Sequence, residues 1–376
     1  MSTKLNLHNI DLNKSVQIND GLTQTSGDGA ALAFDTKYGI MFCAYMPGKH
    51  GSYGESRGKI ALSYFPASQP TNIKFIDITE GRAEYVPNVI SLGDGKVRIF
   101  YEVNSKDEGD HQTCYKDFDY LTGEFTEEKP VKIKLDDGSI VDLCQSVEFA
   151  YLEERGFFNH QHVKTEQIVS AAPTPFRGED DCYYAAISTY LSEVILVRSS
   201  DNLATLEPFA ICPYQTQYEF DWRYLDGKIH AIFRTNRDVD AISYTTSDDN
   251  GKTWSEPVHF AESIQCRPKI IVHNEHILMS YNYFCDDTGN RPEIQQGRTA
   301  ISLCYGENPD PNKNVFVADL HSKYGIVNVC LVDVMGDVYL GFSSSVLALE
   351  YHNGNSKVRG KDAIRYIKLG DLSQMQ

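Results

Sequence analysis

Short hydrophobic runs separated by turn residues recur along the whole chain. Each run has the length of a β-strand, and a new one begins about every 8–12 residues, after Gly, Asn or Asp. The apolar spacing of an amphipathic helix is nearly absent. The 23 tyrosines and 18 phenylalanines agree with this, because aromatic side chains fit the pleated surface of a sheet. The pattern predicts an all-β protein.

A larger unit repeats at roughly 40–60 residues, and it consists of two hydrophobic runs joined by a tight, usually glycine-bearing turn. Repetition of a small antiparallel sheet around an axis leaves only short strand edges exposed. The repeat therefore predicts a six-bladed β-propeller. The six units lie at 30–45, 86–101, 170–188, 220–234, 267–281 and 325–342, and four are followed by a further strand, at 58–65, 193–200, 240–247 and 299–306.

We expect one domain over residues 1–376, because no linker rich in Pro, Gly or Ser divides the chain. Residues 130–165 fit the repeat least well, and we interpret them as a long excursion from the third blade. The run at 363–372 could pair with an N-terminal strand and close the ring. The approximate blades are 25–70, 80–128, 165–210, 213–258, 262–308 and 315–372.

One turn carries the pattern Ser247-x-Asp249-x-Gly251-x-Thr253-Trp254. The Asp249 carboxylate can accept hydrogen bonds from backbone N–H groups of its own turn, and the two hydroxyls add partners. Gly251 can adopt a positive φ, and Trp254 can pack between blades. We interpret the motif as structural and expect it to lie away from any active site. A partial copy at 199–205, one blade earlier, supports the predicted repeat.

The S-x-D-x-G-x-T-W pattern is the Asp-box, and the chain resembles the sialidase superfamily of Asp-box (BNR-repeat), or neuraminidase-like, propellers. The resemblance is clearest over 213–345 and weaker over 25–110. It implies a six-bladed propeller, and members of the family are mostly exo-acting glycosidases for sialic acids. In such enzymes three arginines bind the substrate carboxylate, a tyrosine is the nucleophile, a glutamate activates it, and an aspartate is the acid/base.

Three segments carry this resemblance to the site residues. "YEFDWRYLDGKIHAIFRTNRDVDAISYTTSDDNGKTW" resembles the fourth blade and implies Glu219 as the base and Arg234 as a carboxylate ligand. "MSYNYFCDDTGNRPEIQQGRTAISLCYG" resembles the fifth blade and implies Arg298 as a second ligand. "HSKYGIVNVCLVDVMGDVYLGF" resembles the sixth blade and implies Tyr324 as the nucleophile. Arg267 in "CRPK" is a further candidate for substrate binding.

The first blade departs from the family pattern. The family has an R-I-P motif on its inner strand, whereas "GDGAALAF" has Asp28 in place of the arginine. In the loop "MPGKHGSYGESRGK", Glu55 is the nearest carboxylate for the acid/base role, and His50 is the other titratable candidate. A negative charge at Asp28 would repel a carboxylate. This departure favours a modified sialic acid or a uronic acid glycoside as the substrate.

Composition limits the possible partners. The net charge of -17 and the pI of about 5.1 argue against nucleic acid, because binding it needs clustered Lys and Arg. The sequence contains no run of 18 apolar residues, so it predicts no membrane span, and the N-terminus lacks a signal-peptide pattern. Nine irregularly spaced cysteines indicate free thiols in a reducing compartment, and we expect a cytoplasmic protein. We expect no cofactor and no metal, since no P-loop, GxGxxG, CxxC or metal-ligand set is present.

The leading hypothesis is a carbohydrate-active hydrolase of the sialidase type. A neutral phenol, deprotonated as it attacks, avoids the repulsion that a carboxylate nucleophile would meet beside an anionic sugar. Two alternatives stay open. One is a non-catalytic glycan-binding propeller that keeps the arginines, and the other is a uronate-specific polysaccharide lyase with Tyr and His as base and acid.

Overall fold

The strands lie in six small, mostly antiparallel sheets. A computed structural model describes residues 11–19, 27–47, 59–79, 84–104, 111–157, 174–188, 193–235, 242–260, 267–283, 300–306, 316–321, 327–344 and 363–372. Within these residues the first strands of neighbouring sheets contact one another, for example β2 (Gly27–Asp35) with β6 (Glu84–Gly93) and β25 (Val327–Val334), and so line a common axis. The six-bladed β-propeller predicted from the sequence is confirmed.

The first three blades are given from the inner strand outward. The first contains β2, β3 (Ile40–Pro47), β4 (Ala61–Pro66) and β5 (Lys74–Asp77). The second contains β6, β7 (Lys96–Asn104) and β8 (His111–Asp119), with β9 (Glu124–Phe125) and β10 (Lys129–Pro130) beside β8. The third contains β13 (Phe176–Arg177), β14 (Tyr183–Ile187), β15 (Val194–Ser199) and β16 (Thr205–Cys212), extended by β11 (Lys132–Lys134) and β12 (Ile140–Asp142).

The last three blades have four strands each in the described residues. The fourth contains β17 (Thr216–Leu225), β18 (Lys228–Thr235), β19 (Ile242–Ser247) and β20 (Val258–Phe260). The fifth contains β21 (Lys269–His273), β22 (His276–Tyr283), β23 (Ala300–Gly306) and β24 (Phe316–His321). The sixth contains β25, β26 (Asp337–Ser344), β27 (Ala363–Gly370) and β1 (Val16–Gln17). A 3-10 helix spans Leu12–Lys14, and helix α1 spans Gln145–Glu153.

Each pair of neighbouring blades shares one hydrophobic cluster, and six clusters complete the ring. On β2, Ala31 and Ala33 pack with Val89 of the second blade, whereas Leu32 packs with Cys330 of the sixth. Alternate residues of one strand thus face two different neighbours. Because both faces of each blade are buried, the strands are nearly continuous apolar runs in the sequence.

The ring closes through pairing of the two ends of the chain. In the sixth blade β1 pairs with β27, with Val16 opposite Tyr366 and Gln17 opposite Arg365. The predicted closing strand at 363–372 is confirmed. Because β1 fills the outer position of the sixth blade, β24 belongs to the fifth blade, although its residues fall inside the range from which the sequence predicted the sixth.

Residues 129–157 extend the outer edges of two blades. Strand β10 pairs with β8, and β11 pairs in parallel with β16. Helix α1 follows, and its Tyr151 and Leu152 pack with Ile133 in the cluster between the second and third blades. The sequence did not predict this helix, because its nine residues carry only a weak helical alternation of apolar and polar positions.

Four inner strands carry a β-bulge close to their first residues, between Asp28 and Ala31, Tyr85 and Asn88, Thr216 and Phe220, and Val327 and Cys330. The bulge in the fourth blade is the longest of these. Thr216 lies opposite Thr235 and Phe220 opposite Phe233, so four steps along β17 match two along β18. Bulges redirect side chains, and Glu219 lies inside this one.

The turn at 247–254 forms the hydrogen bonds expected from its sequence. The backbone N–H of Thr253 donates to Oδ1 of Asp249 (2.9 Å), and the Thr253 hydroxyl donates to Oδ2 (2.7 Å). The Trp254 indole N–H donates to the carbonyl of Ile211 in the third blade (3.0 Å). The turn therefore joins two blades. It lies at the same end of the propeller as the hairpin turn between β17 and β18, since Ser247 is opposite Ile229.

Candidate functional site

Two edges of the propeller differ in their chemistry. We call the edge formed by the starts of the inner strands and the ends of the second strands the entry rim. The opposite edge, which carries the inner hairpin turns and the turn at 247–254, is the turn rim. Glu219 near the start of β17 and Arg234 near the end of β18 both lie on the entry rim, as one hairpin requires.

Glu219 and Arg234 form an ion pair. The Nη1 atom of Arg234 lies 3.2 Å from Oε2 of Glu219, and the two side chains are 17% and 8% exposed, respectively. The bulge in β17 turns Glu219 towards the end of β18. The pair places a carboxylate next to a guanidinium at the mouth of the channel. A guanidinium can bind a carboxylate through two parallel hydrogen bonds.

Arg267 lies at the same depth on the neighbouring inner strand. The backbone N–H of Ile270 donates to Oδ2 of Asp221 (3.2 Å), which brings β21 and β17 level at these two residues. Arg267, three residues before Ile270, is therefore on the entry rim beside Glu219. Its side chain is buried, at 7% exposure. Among the residues that the structure describes, no carboxylate forms an ion pair with Arg267.

A charged cluster lies below this rim, between the fourth and fifth blades. Asp221, which is fully buried, forms an ion pair with Arg223 (3.0 Å) and lies 3.7 Å from Nζ of Lys269. The Lys269 amine donates a hydrogen bond of 2.7 Å to the Thr174 hydroxyl, just before β13 of the third blade. Lys269 therefore reaches from the fifth blade to the third, across the axis of the propeller.

Burial lowers the pKa of Lys269 to about 8 from an ordinary value of 10.5. The Asp221 carboxylate raises this pKa, but the positive charges of Arg267 and Arg223 oppose that effect. The amine is therefore a cation at neutral pH that loses its proton under mildly alkaline conditions.

The structure places the predicted site residues unequally. Glu219, Arg234 and Arg267 are together on the entry rim. The backbone of Asp28 is on the same rim, opposite Met46, at the first residues of β2. The other predicted site residues lie outside the described part of the chain: Tyr324, Arg298, Glu55 and His50.

Sequence reasoning missed several residues near this rim. Asp221, Arg223 and Lys269 occupy inner strands, and the signal available was the presence of charged residues inside "FDWR" and "RPKIIV", where a buried strand is otherwise apolar. Glu193, just before β15, is also buried on the entry rim, and burial raises the pKa of its carboxyl group. A carboxyl group with a raised pKa can act as a proton donor.

A cavity of about 1350 Å³ opens at the turn rim, away from Glu219 and Arg234. It is lined by the last residues of inner strands, such as Phe34, Leu92 and Leu225. The inner strand of the third blade, β13, has two residues, and the segment 174–180 around it lines the cavity. Neither Glu219 nor Arg234 lines this cavity. The cavity at the turn rim is therefore separate from the predicted site at Glu219 and Arg234.

Two further features bear on the kind of site. Within the described ranges, no group of three or more His, Cys, Asp or Glu side chains is arranged to hold a metal ion. Across those same ranges, no helix is both long and apolar enough to cross a membrane. The seven cysteines in the described part of the chain are free thiols.

No protein-family model matches the chain, and no curated protein matches it by sequence. Solved structures match it by shape. Trypanosoma rangeli sialidase in complex with sialic acid superposes on 97% of this chain and 58% of its own, with a TM-score of 0.60 and 12% identity. The fold is that of a sialidase-like propeller. The chain spans less than two thirds of that trypanosomal chain, so the match concerns only part of it.

Two further structures share this sialidase-like propeller. The K499G mutant of NanB sialidase from Streptococcus pneumoniae covers 94% of this chain and 70% of its own, with a TM-score of 0.56 and 15% identity. A protein of unknown function from Dyadobacter fermentans covers 94% of this chain and 97% of its own, with a TM-score of 0.59 and 11% identity. At these identities the similarity shows the fold alone, and the activity must be argued from the site.

Proposed function

We propose that the protein is an exo-glycosidase of the sialidase type that removes a terminal acidic sugar, a sialic or uronic acid, from a glycan or glycoside. The observation that carries the proposal is the buried Glu219–Arg234 pair on the entry rim, with Arg267 at the same depth on the next blade. Arg267 gives this group of three side chains a net positive charge, in a chain whose net charge is -17. Such a site attracts an anion that the rest of the surface repels.

Each residue has a role in this mechanism. Arg234 and Arg298 bind the sugar carboxylate, and Arg267 adds a third positive charge. Glu219 accepts the phenolic proton of Tyr324 as the phenol attacks the anomeric carbon and the glycosidic bond breaks. Glu55, or His50 in the same loop, protonates the leaving oxygen and then activates the water that releases the sugar. The ion pair with Arg234 orients the Glu219 carboxylate.

The names of the structural neighbours support the substrate class. One T. rangeli structure is described as a sialic acid complex, and another as a covalent intermediate with 2,3-difluorosialic acid. Asp28 at the first residues of β2 distinguishes this chain from the family pattern, and its charge favours a uronic acid or a modified sialic acid over an ordinary sialoside.

The same Asp28 supports a second candidate, a glycan-binding propeller without catalytic activity. Binding needs only the cations of the entry rim, whereas hydrolysis also needs an acid and a nucleophile in place. The two candidates differ in one observable: a hydrolase turns over its ligand, whereas a binding protein holds an acidic sugar unchanged.

A panel of fluorogenic sialosides and uronides tests the proposal. We expect release of the fluorophore from at least one of them, and loss of that activity in Tyr324→Phe with the melting temperature retained. Tyr224→Phe is the matched control, because Tyr224 lies on the turn rim, and this variant should keep full activity. Near wild-type turnover by Tyr324→Phe would remove Tyr324 from the mechanism. Calorimetric binding without turnover on any member of the panel would favour the glycan-binding protein.

A further inference from the structure

The inner strands of the fourth and fifth blades bury more positive than negative charge. Arg223, Arg267 and Lys269 are only 6%, 7% and 3% exposed. Two buried carboxylates, Asp221 and Glu219, lie on the same inner strands, and Glu219 already forms an ion pair with Arg234 of β18. A buried charge without a counter-charge is destabilising, because the interior solvates it poorly. A bound anion would remove this imbalance.

Asp221 has no capacity left to neutralise Arg267. Its Oδ1 accepts hydrogen bonds from Arg223 (3.0 Å) and from the next backbone N–H (3.1 Å). Its Oδ2 accepts from the backbone N–H of Ile270 (3.2 Å) and lies 3.7 Å from the Lys269 amine. Four donors therefore already surround the carboxylate, and within the described residues no carboxylate forms an ion pair with Arg267.

The Lys269 amine lies next to the channel lining. It donates to the hydroxyl of Thr174, which lines the cavity of about 1350 Å³. From the sixth blade the group that faces it is the thiol of Cys330, and burial raises the pKa of this thiol to about 12, so that it is neutral. In the described part of the chain, Asp221 is the one carboxylate within ion-pair distance of the Lys269 amine.

We propose that Arg267 and Lys269 form an anion-binding site in the channel, and that its ligand is a carboxylate, namely that of the acidic sugar. The identity of the sugar rests on the proposed function, whereas the excess of buried positive charge does not. In this arrangement the fifth blade supplies the cation that the first blade lacks at Asp28. Arg267 binds the carboxylate at the entry rim, and Lys269 approaches it from the side further from that rim.

The site has a characteristic pH dependence. An anion next to Lys269 favours the charged amine and therefore raises its pKa above about 8. By linkage, the protein takes up a proton when the anion binds near pH 8, and affinity falls as pH rises further. Because Lys269 is roughly half protonated near pH 8, the uptake there is about half a proton at most.

Isothermal titration calorimetry in buffers of different ionisation enthalpy measures this uptake. The probes are N-acetylneuraminate and D-glucuronate, with D-glucose as the match for glucuronate, because glucose has a neutral hydroxymethyl group in place of the C6 carboxylate. We expect the acids to bind and glucose not to bind, with proton uptake at pH 8 and a loss of affinity of up to about tenfold per pH unit above it. Carboxylate binding with no uptake and equal affinity at pH 7 and pH 9.5 overturns the inference, as does the absence of carboxylate-dependent binding.

Variants separate this inference from the hydrolase proposal. Lys269→Met should weaken acid binding by at least about tenfold and abolish proton uptake, whereas Lys269→Arg should keep binding and lose the pH dependence. Lys252→Met, in the exposed turn at 247–254, is the matched control and should change neither. Turnover that does not depend on Lys269 overturns the anion site alone. Lys269-dependent binding with no turnover overturns the hydrolase alone. If the Met variant does not fold, the wild-type uptake and the Arg variant decide.

Discussion

Leu203 and Gly251 occupy equivalent positions in two turns that share one hydrogen-bond pattern. In each turn a serine hydroxyl accepts the backbone N–H of this residue, at 2.9 Å for Leu203 and 2.8 Å for Gly251. Both have positive φ, 63° and 82°. This conformation strains a leucine, but the Leu203 side chain is 2% exposed in the cluster between the second and third blades. Burial of the side chain therefore offsets the backbone strain, and the turn forms without glycine.

Gly251→Ala should destabilise the protein by about 2–4 kcal/mol. The added Cβ would lie 2.4 Å from Cβ of Ala210 in the third blade, in a backbone conformation that alanine rarely adopts. Guanidinium unfolding measures the change. Gly227→Ala is the matched control, since it has a similar φ of 76° and nothing within 4 Å of the added Cβ, and should lose only about 1 kcal/mol. Equal losses in the two variants would show that the contact with Ala210 is unimportant.

The ring of blades was predictable because its signals are local. Each hairpin has its two strands close together in sequence, and the burial of both faces produces apolar runs that can be read without partners. The closing strand was predictable for the same reason. The allocation of β24 to the fifth blade was not, since β1, which takes the outer position of the sixth blade instead, is only two residues long and has no strand pattern of its own.

The candidate site was less predictable than the fold. Glu219 and Arg234 could be paired from the sequence because one hairpin joins them. The Lys269–Thr174 contact links residues 95 positions apart, on blades that are not adjacent, and no local pattern reports it. The cluster around Asp221 depends on the relative position of the fourth and fifth blades along the propeller axis. Packing between the blades determines this position, and sequence periodicity does not report it.

Acid should destabilise the protein through His230. Burial lowers the pKa of this imidazole to about 4, from an ordinary value of 6.5, and its Nδ1 lies 2.6 Å from the Tyr244 hydroxyl. Between pH 6.5 and pH 4 the unfolded chain binds the proton and the folded chain does not, so stability falls as pH falls through this window. The contribution is on the order of 3 kcal/mol.

Urea unfolding of wild type and His230→Gln between pH 4 and pH 7 measures this contribution. The difference in unfolding free energy between the two proteins should shrink as pH falls. Tyr244→Phe is the control, because it removes the hydrogen bond but leaves His230 buried, and it should keep the acid dependence of wild type. A wild-type slope unchanged by the loss of His230 would assign the effect to other groups.

Lys269 should make stability rise with pH in the same direction as His230, but in an alkaline window. Its pKa is about 8 in the folded protein and 10.5 ordinarily, so between these values only the unfolded chain holds the proton. Stability therefore gains from this group as pH rises through the window, by up to about 3 kcal/mol. We expect the free energy of unfolding of Lys269→Met, measured by chemical unfolding, to compare better with that of wild type at pH 7 than at pH 10. A pH-independent difference between the two proteins would contradict the perturbed amine.

Glu219 and Arg234 should affect different kinetic constants if the pair is part of the proposed site. Glu219→Gln preserves size and hydrogen bonding but removes the base, so kcat should fall about 10²–10⁴-fold with little change in KM. Arg234→Lys keeps the charge but loses the two parallel hydrogen bonds, so KM should rise by about tenfold. Initial rates on the best substrate of the panel measure both constants, and thermal melts show whether the fold is retained. A pair that only holds β17 to β18 would lower the melting temperature in both variants and leave kcat of the folded fraction unchanged, because neither side chain would then contact the reacting atoms.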